Sequence, residues 1–246
     1  MRFSGLLAHL AVGFDEPLTD FVELFRAVRE QTNQEAAKFI ADHAGQSFDQ
    51  YQRDVHARHP TPDWAAHQTA FSDKQWAAWV AAADRVFDLS FRGKPGPGGG
   101  LAISPVSVSF FLLAFLVGRP LRDVVARARD MQQARYIPPA GEPDPMRCPV
   151  TGVPWFGVAL TALLTERELF NRAVLIRVSP AMRLAQIAFR PEPPGRRELV
   201  STFRILGKAK PSKAFFREST LIMRDLGWLF DLVAAADAPA KTEELA

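Results

Sequence analysis

The chain has 246 residues, of which 48% are hydrophobic, enough to bury a substantial core without disulfides or metals. Its one cysteine, Cys148, excludes an intramolecular disulfide and any site built from several thiolates, which fits a reducing compartment rather than a secreted, stapled module. The net charge of +3 conceals an asymmetry: residues 1–90 hold 8 Lys/Arg against 13 Asp/Glu, whereas residues 91–246 hold 22 against 14.

In chain order, the apolar run behind Arg2 has only a faint likeness to a signal peptide. His9 interrupts it, Asp15 and Glu16 close it, and no cleaved presequence is expected. Leu18, Phe21, Val22, Phe25 and Val28 recur at three- and four-residue spacing, and Phe39 and Ile40 resume the pattern, which predicts an amphipathic helix over 17–43. Ser72 with Gln75 forms a capping box ahead of Trp76, Trp79, Val80 and Val86, so a second helix is predicted from there to residue 89. Residues 92–100, with Pro95, Pro97 and three consecutive glycines, cannot continue any helix and mark the best boundary. It separates an acidic helical region, 1–94, from a basic and more hydrophobic one, 95–246, and the two can also be read as one continuous domain. Ser104-Pro105 and Ser179-Pro180 each place a hydroxyl at an N-cap and a proline at the first helical position. A helix from Pro120 through Leu121, Val124, Val125 and Met131 ends at Pro138-Pro139, and 155–170, 180–190, 197–206 and 212–236 also read as helical. Residues 173–178 and 184–206 have a second reading as strands, the latter as a small hairpin, with helix preferred. The fold class expected is mainly α and multi-helix.

Four features compete as sites. Residues 95–118 form a 24-residue stretch without charge, but Pro105 and Gly118 bracket only about 21 Å of helix, short of the roughly 30 Å of a bilayer's hydrocarbon. Apolar side chains crowd every side of that helix, so Phe110, Phe111, Leu113, Phe115 and Leu116 are expected to pack against protein or, in second place, against lipid. Residues 183–217 carry nine cations against Glu192 and Glu198, which makes Arg196, Arg197, Lys208, Lys210, Lys213 and Arg217 a candidate surface for anions or lipid; the bland alternative is a solvated face. Asp54, His56, His59, Asp63 and His67 are suitable metal ligands by type, but Pro60 and Pro62 break the spacing and no metal is expected. Cys148 lies beside Arg147, yet a catalytic dyad would need a histidine from the first 67 residues, and the glycines at 98–100 lack the lysine and hydroxyl of a phosphate loop.

These readings assign no catalytic residue and no cofactor. The leading expectation is a non-catalytic accessory or scaffold subunit that packs its apolar helices into a larger assembly, such as an energy-transducing complex. It would be membrane-associated or inside a reducing compartment, with other protein subunits as partners, anionic lipid as a further one and nucleic acid disfavoured. One rival is a small helical metal-dependent enzyme using His56, His59 and His67. The other is a stand-alone soluble helical binding protein, which requires the apolar helices to be satisfied within the chain.

Overall fold

Ser104 sets the start of the most apolar helix in the way its sequence predicts. The Ser104 hydroxyl accepts from the Ser107 amide at 3.1 Å, the Ser107 hydroxyl accepts from the Ser104 amide at 3.0 Å, and Pro105 occupies the first turn. The helix ends at Gly118, whose φ of +66° suits a residue without Cβ, and whose N–H bonds back to the Ala114 and Phe115 carbonyls. The computed structural model describes residues 3–58, 72–81, 103–139, 147–191, 199–205 and 218–237. Within these the helices are α1 (Phe3–Phe14), α2 (Leu18–His43), α3 (Phe48–Arg58), α4 (Asp73–Ala81), α5 (Pro105–Val117), α6 (Val124–Gln132), α7 (Phe156–Thr165), α8 (Arg167–Arg172) and α9 (Gly227–Asp237). The strands are β1 (Arg135–Ile137), β2 (Ala173–Ser179), β3 (Leu184–Phe189), β4 (Leu199–Arg204) and β5 (Ser219–Ile222). The chain divides into two compact units, residues 1–28 with 92–246, and residues 29–91.

The five strands form one antiparallel sheet in the order β1-β4-β3-β2-β5, which corrects the expected mainly-α class to mixed α and β. Ala173-Val-Leu-Ile-Arg-Val-Ser179 is rich in β-branched residues and alternates inward Ile176 and Val178 with outward Leu175 and Arg177. The dipeptide Ser179-Pro180 opens a hairpin turn, not a helix: the Arg183 amide donates to the Pro180 carbonyl at 3.1 Å and Arg183 adopts a left-handed φ of +55°. Residues 199–204 and 219–222, predicted helical, are β4 and β5, and the last helix begins only at Gly227. The hairpin reading of 184–206 holds for β3 and β4, which pair from Leu184↔Arg204 to Phe189↔Leu199.

The sheet buries one face. Leu221, Ile176, Ile187 and Ser201 line up across one row, and Val178, Ala185, Phe203 and Tyr136 across the next, all buried. Against that face lies α5, which contacts β2, β5, α6, α7 and α9, and the Phe156 ring of α7 sits 5.5 Å from Phe203. Phe110, Phe111 and Leu113 are 0% exposed, and Phe115 stacks with Phe14 and Phe21 at 5.1 and 5.0 Å. Each such side chain contributes about 1.5–3 kcal/mol on burial, so this helix is the centre of its unit's core. No described helix is long and apolar enough to cross a membrane.

Gly157, in the first turn of α7, sets how closely α7 meets α6. A Cβ built there would meet Gln132 Cβ and Cγ at 2.9 Å and its Cα at 3.1 Å. Gly157→Ala is therefore expected to lower stability by about 1–2 kcal/mol, since overpacking against a backbone-proximal carbon outweighs the roughly 1 kcal/mol gain in helix propensity. Equilibrium urea unfolding checks this, and a stabilised variant would show that α6 and α7 part easily.

In the unit formed by 29–91, Trp76 is buried and rests on Tyr51 at 4.5 Å and Phe48 at 5.2 Å, and the His43 ring lies edge-on to Phe39 at 4.4 Å. The Ser72–Gln75 capping box forms as the sequence predicts, with the Gln75 amide donating to the Ser72 hydroxyl at 3.3 Å.

Candidate functional site

Burial of α7 follows a stripe, Phe156, Ala159, Leu160, Leu163 and Leu164, at the spacing of one helix face. Val158 falls off that stripe and is 49% exposed, and Trp155, at the N-cap, is 43% exposed. Both line a groove of about 730 Å³ together with Val106 of α5, itself 48% exposed, Ile205 past the end of β4, and Gln132, Gln133 and Arg135 at the junction of α6 and β1. That volume lies within the range of small-molecule sites, which combine a largely apolar wall with a few polar groups.

The groove is built on well-fixed elements. Trp155 is bridged to Arg135, the Phe156 amide donates to the Ala134 carbonyl at 2.9 Å, and the Tyr136 amide donates to the Pro154 carbonyl at 2.8 Å. Thr161, on the floor, shares a 2.8 Å hydrogen bond with Ser109 of α5 and donates to the Gly157 carbonyl at 3.1 Å, so its hydroxyl is already satisfied. In contrast, the side chains of Gln132, Gln133 and Arg135 make no hydrogen bond or ion pair with any described residue. Arg135 is the one charged residue among the described lining. Its cross-strand neighbour in the β1–β4 ladder is Arg204, exposed and likewise without an acid among the described residues. No side chain caps α7, which leaves the positive end of its dipole at Gly157 and Val158 on the groove wall.

No family model, curated protein or solved structure matches this chain.

None of the residues singled out on sequence grounds is among the described lining of the groove. Phe110, Phe111, Leu113 and Leu116 are buried in the chain's own core and Phe115 is half-buried in the Phe14–Phe21 stack. Arg196, Arg197, Lys208, Lys210, Lys213 and Arg217 fall outside the described residues, as do His59, Asp63 and His67. His56 lies on α3, and Asp54 on the same helix accepts from Gln46 at 2.7 Å and Gln50 at 2.9 Å. Among the described residues no three His, Cys, Asp or Glu side chains gather to hold a metal. Cys148 is fully buried, its sulfur 3.1 Å from the Ser201 hydroxyl, where it pins the 147–155 loop to β4.

Two other cavities are smaller. One of about 320 Å³ is lined by Glu16, Asp20, Arg119 and Glu218, of which Arg119 is paired with Asp20 and Glu218 with Arg177. The other, about 330 Å³ in the 29–91 unit, is lined by His43, Gln46, Ser47 and Asp73. There His43 Nδ1 meets the Gln46 carbonyl oxygen at 2.6 Å, and the Gln46 amide donates to Asp54.

Proposed function

We propose that this protein works by non-covalent capture, as a binding protein that holds an apolar ligand in the Trp155 groove and performs no chemistry on it. The carrying observation is the groove itself: exposed Val106, Trp155 and Val158 converge beside three polar side chains that have no partner within the described chain. Exposed large apolar residues gathered in one concavity and rimmed by polar groups mark binding sites, whereas scattered ones do not. The core position of α5 supports the self-contained form of this reading, because the helix whose apolar surplus suggested an accessory subunit is packed by its own chain.

An uncharged solvatochromic dye such as Nile red is expected to bind saturably at one site per chain. Val158→Glu is expected to weaken that binding at least about tenfold while shifting the thermal midpoint little, since half-exposed positions away from the core tolerate substitution. A Val158→Glu variant that binds as well as the parent would remove the groove as the working surface. The accessory-subunit reading is favoured by the same exposed wall. It would gain ground if the protein isolated under mild conditions carried a stoichiometric partner that excluded the dye.

A further inference from the structure

The geometry points to a single-chain carboxylate as the occupant of the groove, its head group held by Arg135 and its hydrocarbon chain lying along Val106, Trp155, Val158 and Ile205. This rests on the binding reading above and adds the chemistry of what is bound.

Arg135 carries most of the weight. It is partly buried, it is the one charged residue among the described lining, and its side chain has no ion pair or hydrogen bond with a described residue. A guanidinium that lines a groove without an acceptor is open to one, and its planar fork of N–H donors matches a carboxylate through two parallel hydrogen bonds. A second, independent observation comes from the ladder, where Arg135 stands directly opposite Arg204 and neither has an acid. Like charges facing each other across an antiparallel pair destabilise it, and an anion seated on Arg135 offsets that repulsion. The unpartnered carboxamides of Gln132 and Gln133 can donate to the same head group, and the positive end of α7 adds to the field there.

The rest of the lining decides the rest of the ligand. The side chains of Val106, Trp155, Val158 and Ile205 offer no hydrogen-bonding group apart from the indole N–H of Trp155. A bare anion would leave that apolar wall in water, whereas an acyl chain covers it. With one guanidinium among the described lining, a monoanion balances the charge of the described wall.

The test is displacement of Nile red by three ligands of equal chain length, dodecanoate, dodecanol and dodecyltrimethylammonium, each below its micelle concentration at pH 8. Dodecanoate is expected to displace the dye at concentrations about tenfold or more below dodecanol, with the ammonium weakest, because a charge-assisted hydrogen bond is worth at least that factor. Arg135→Gln is expected to bring dodecanoate level with dodecanol, and Arg135→Lys to restore part of the difference, since a lysine keeps the charge and loses the fork. Equal displacement by dodecanoate and dodecanol, or an advantage that survives Arg135→Gln, would overturn the carboxylate while leaving the groove as a binding site. If the dye does not bind saturably, direct calorimetry with dodecanoate decides. Heat lost in Arg135→Gln upholds the inference, and no binding overturns both readings.

Discussion

Leu113→Asp is expected to abolish the cooperative thermal transition of the unit that contains α5. Leu113 is 0% exposed and sits between Leu112 and Ala114, at 2% and 0%, on a helix buried on nearly every side. Truncation alone, as in Leu113→Ala, should cost about 2–5 kcal/mol through lost transfer energy and the cavity left behind. The carboxylate adds the penalty of taking a charged group out of water into an apolar interior. Since a domain's whole stability is about 5–15 kcal/mol, the sum approaches or exceeds what is available. Circular dichroism melting of the two variants checks this, with a parent-like midpoint for Leu113→Asp showing that α5 is not buried in solution.

The second large effect belongs to Arg127. One of its terminal nitrogens donates to the Val117 carbonyl at 3.0 Å and to Arg119 at 3.3 Å, and the other donates to Gly118 at 2.7 Å and to Pro120. Asp123 lies 3.2 Å from Nε as a charge partner. One guanidinium thus gathers the carbonyl of the last residue of α5 and those of the three residues that follow it, at a helix end where a cation is also favoured by the dipole. Arg127→Met is expected to cost about 2–4 kcal/mol, less than the sum of the separate bonds, because the carbonyls nearest the surface regain water. Arg127→Lys should recover under half of that loss, as a single ammonium cannot span the same set of acceptors. Urea unfolding midpoints measure both, and a loss below about 0.5 kcal/mol in Arg127→Met would show that the turn holds itself.

Local signals in the sequence specify what they can reach. Ser104-Pro105 and Ser72 with Gln75 start helices because capping is settled within one turn of chain, and both caps form. Ser179-Pro180 carries the same signal and ends in a hairpin, because a proline after a hydroxyl residue opens a turn as readily as a helix. The deciding factor is the partner of Val174 to Val178, supplied by 184–189 and 219–222. The strand Arg135–Ile137 was hidden for the same reason, its ladder partners lying at Thr202 to Arg204. The groove was legible in one residue only: Val158 departs from the apolar stripe of α7, a visible anomaly. That it faces Gln132, Arg135 and Ile205 depends on sheet order, which no local pattern encodes.

One consequence of the unit formed by 1–28 and 92–246 concerns time rather than space. Gly13 of α1 lies so close to Trp228 of α9 that a Cβ would meet the indole at 2.5 Å, and His9 lies 6.1 Å from the same ring. Helix α1 is therefore met by α9 across the long interval of chain from Gly13 to Trp228. Until α9 is in place, Gly13 and His9 lack the indole that packs on them, and closing so long an interval carries an entropic cost that grows with the logarithm of its length. As long as α9 is unformed, α1 is a greasy helix without part of its cover, open to off-pathway contacts and to chaperones before the unit closes.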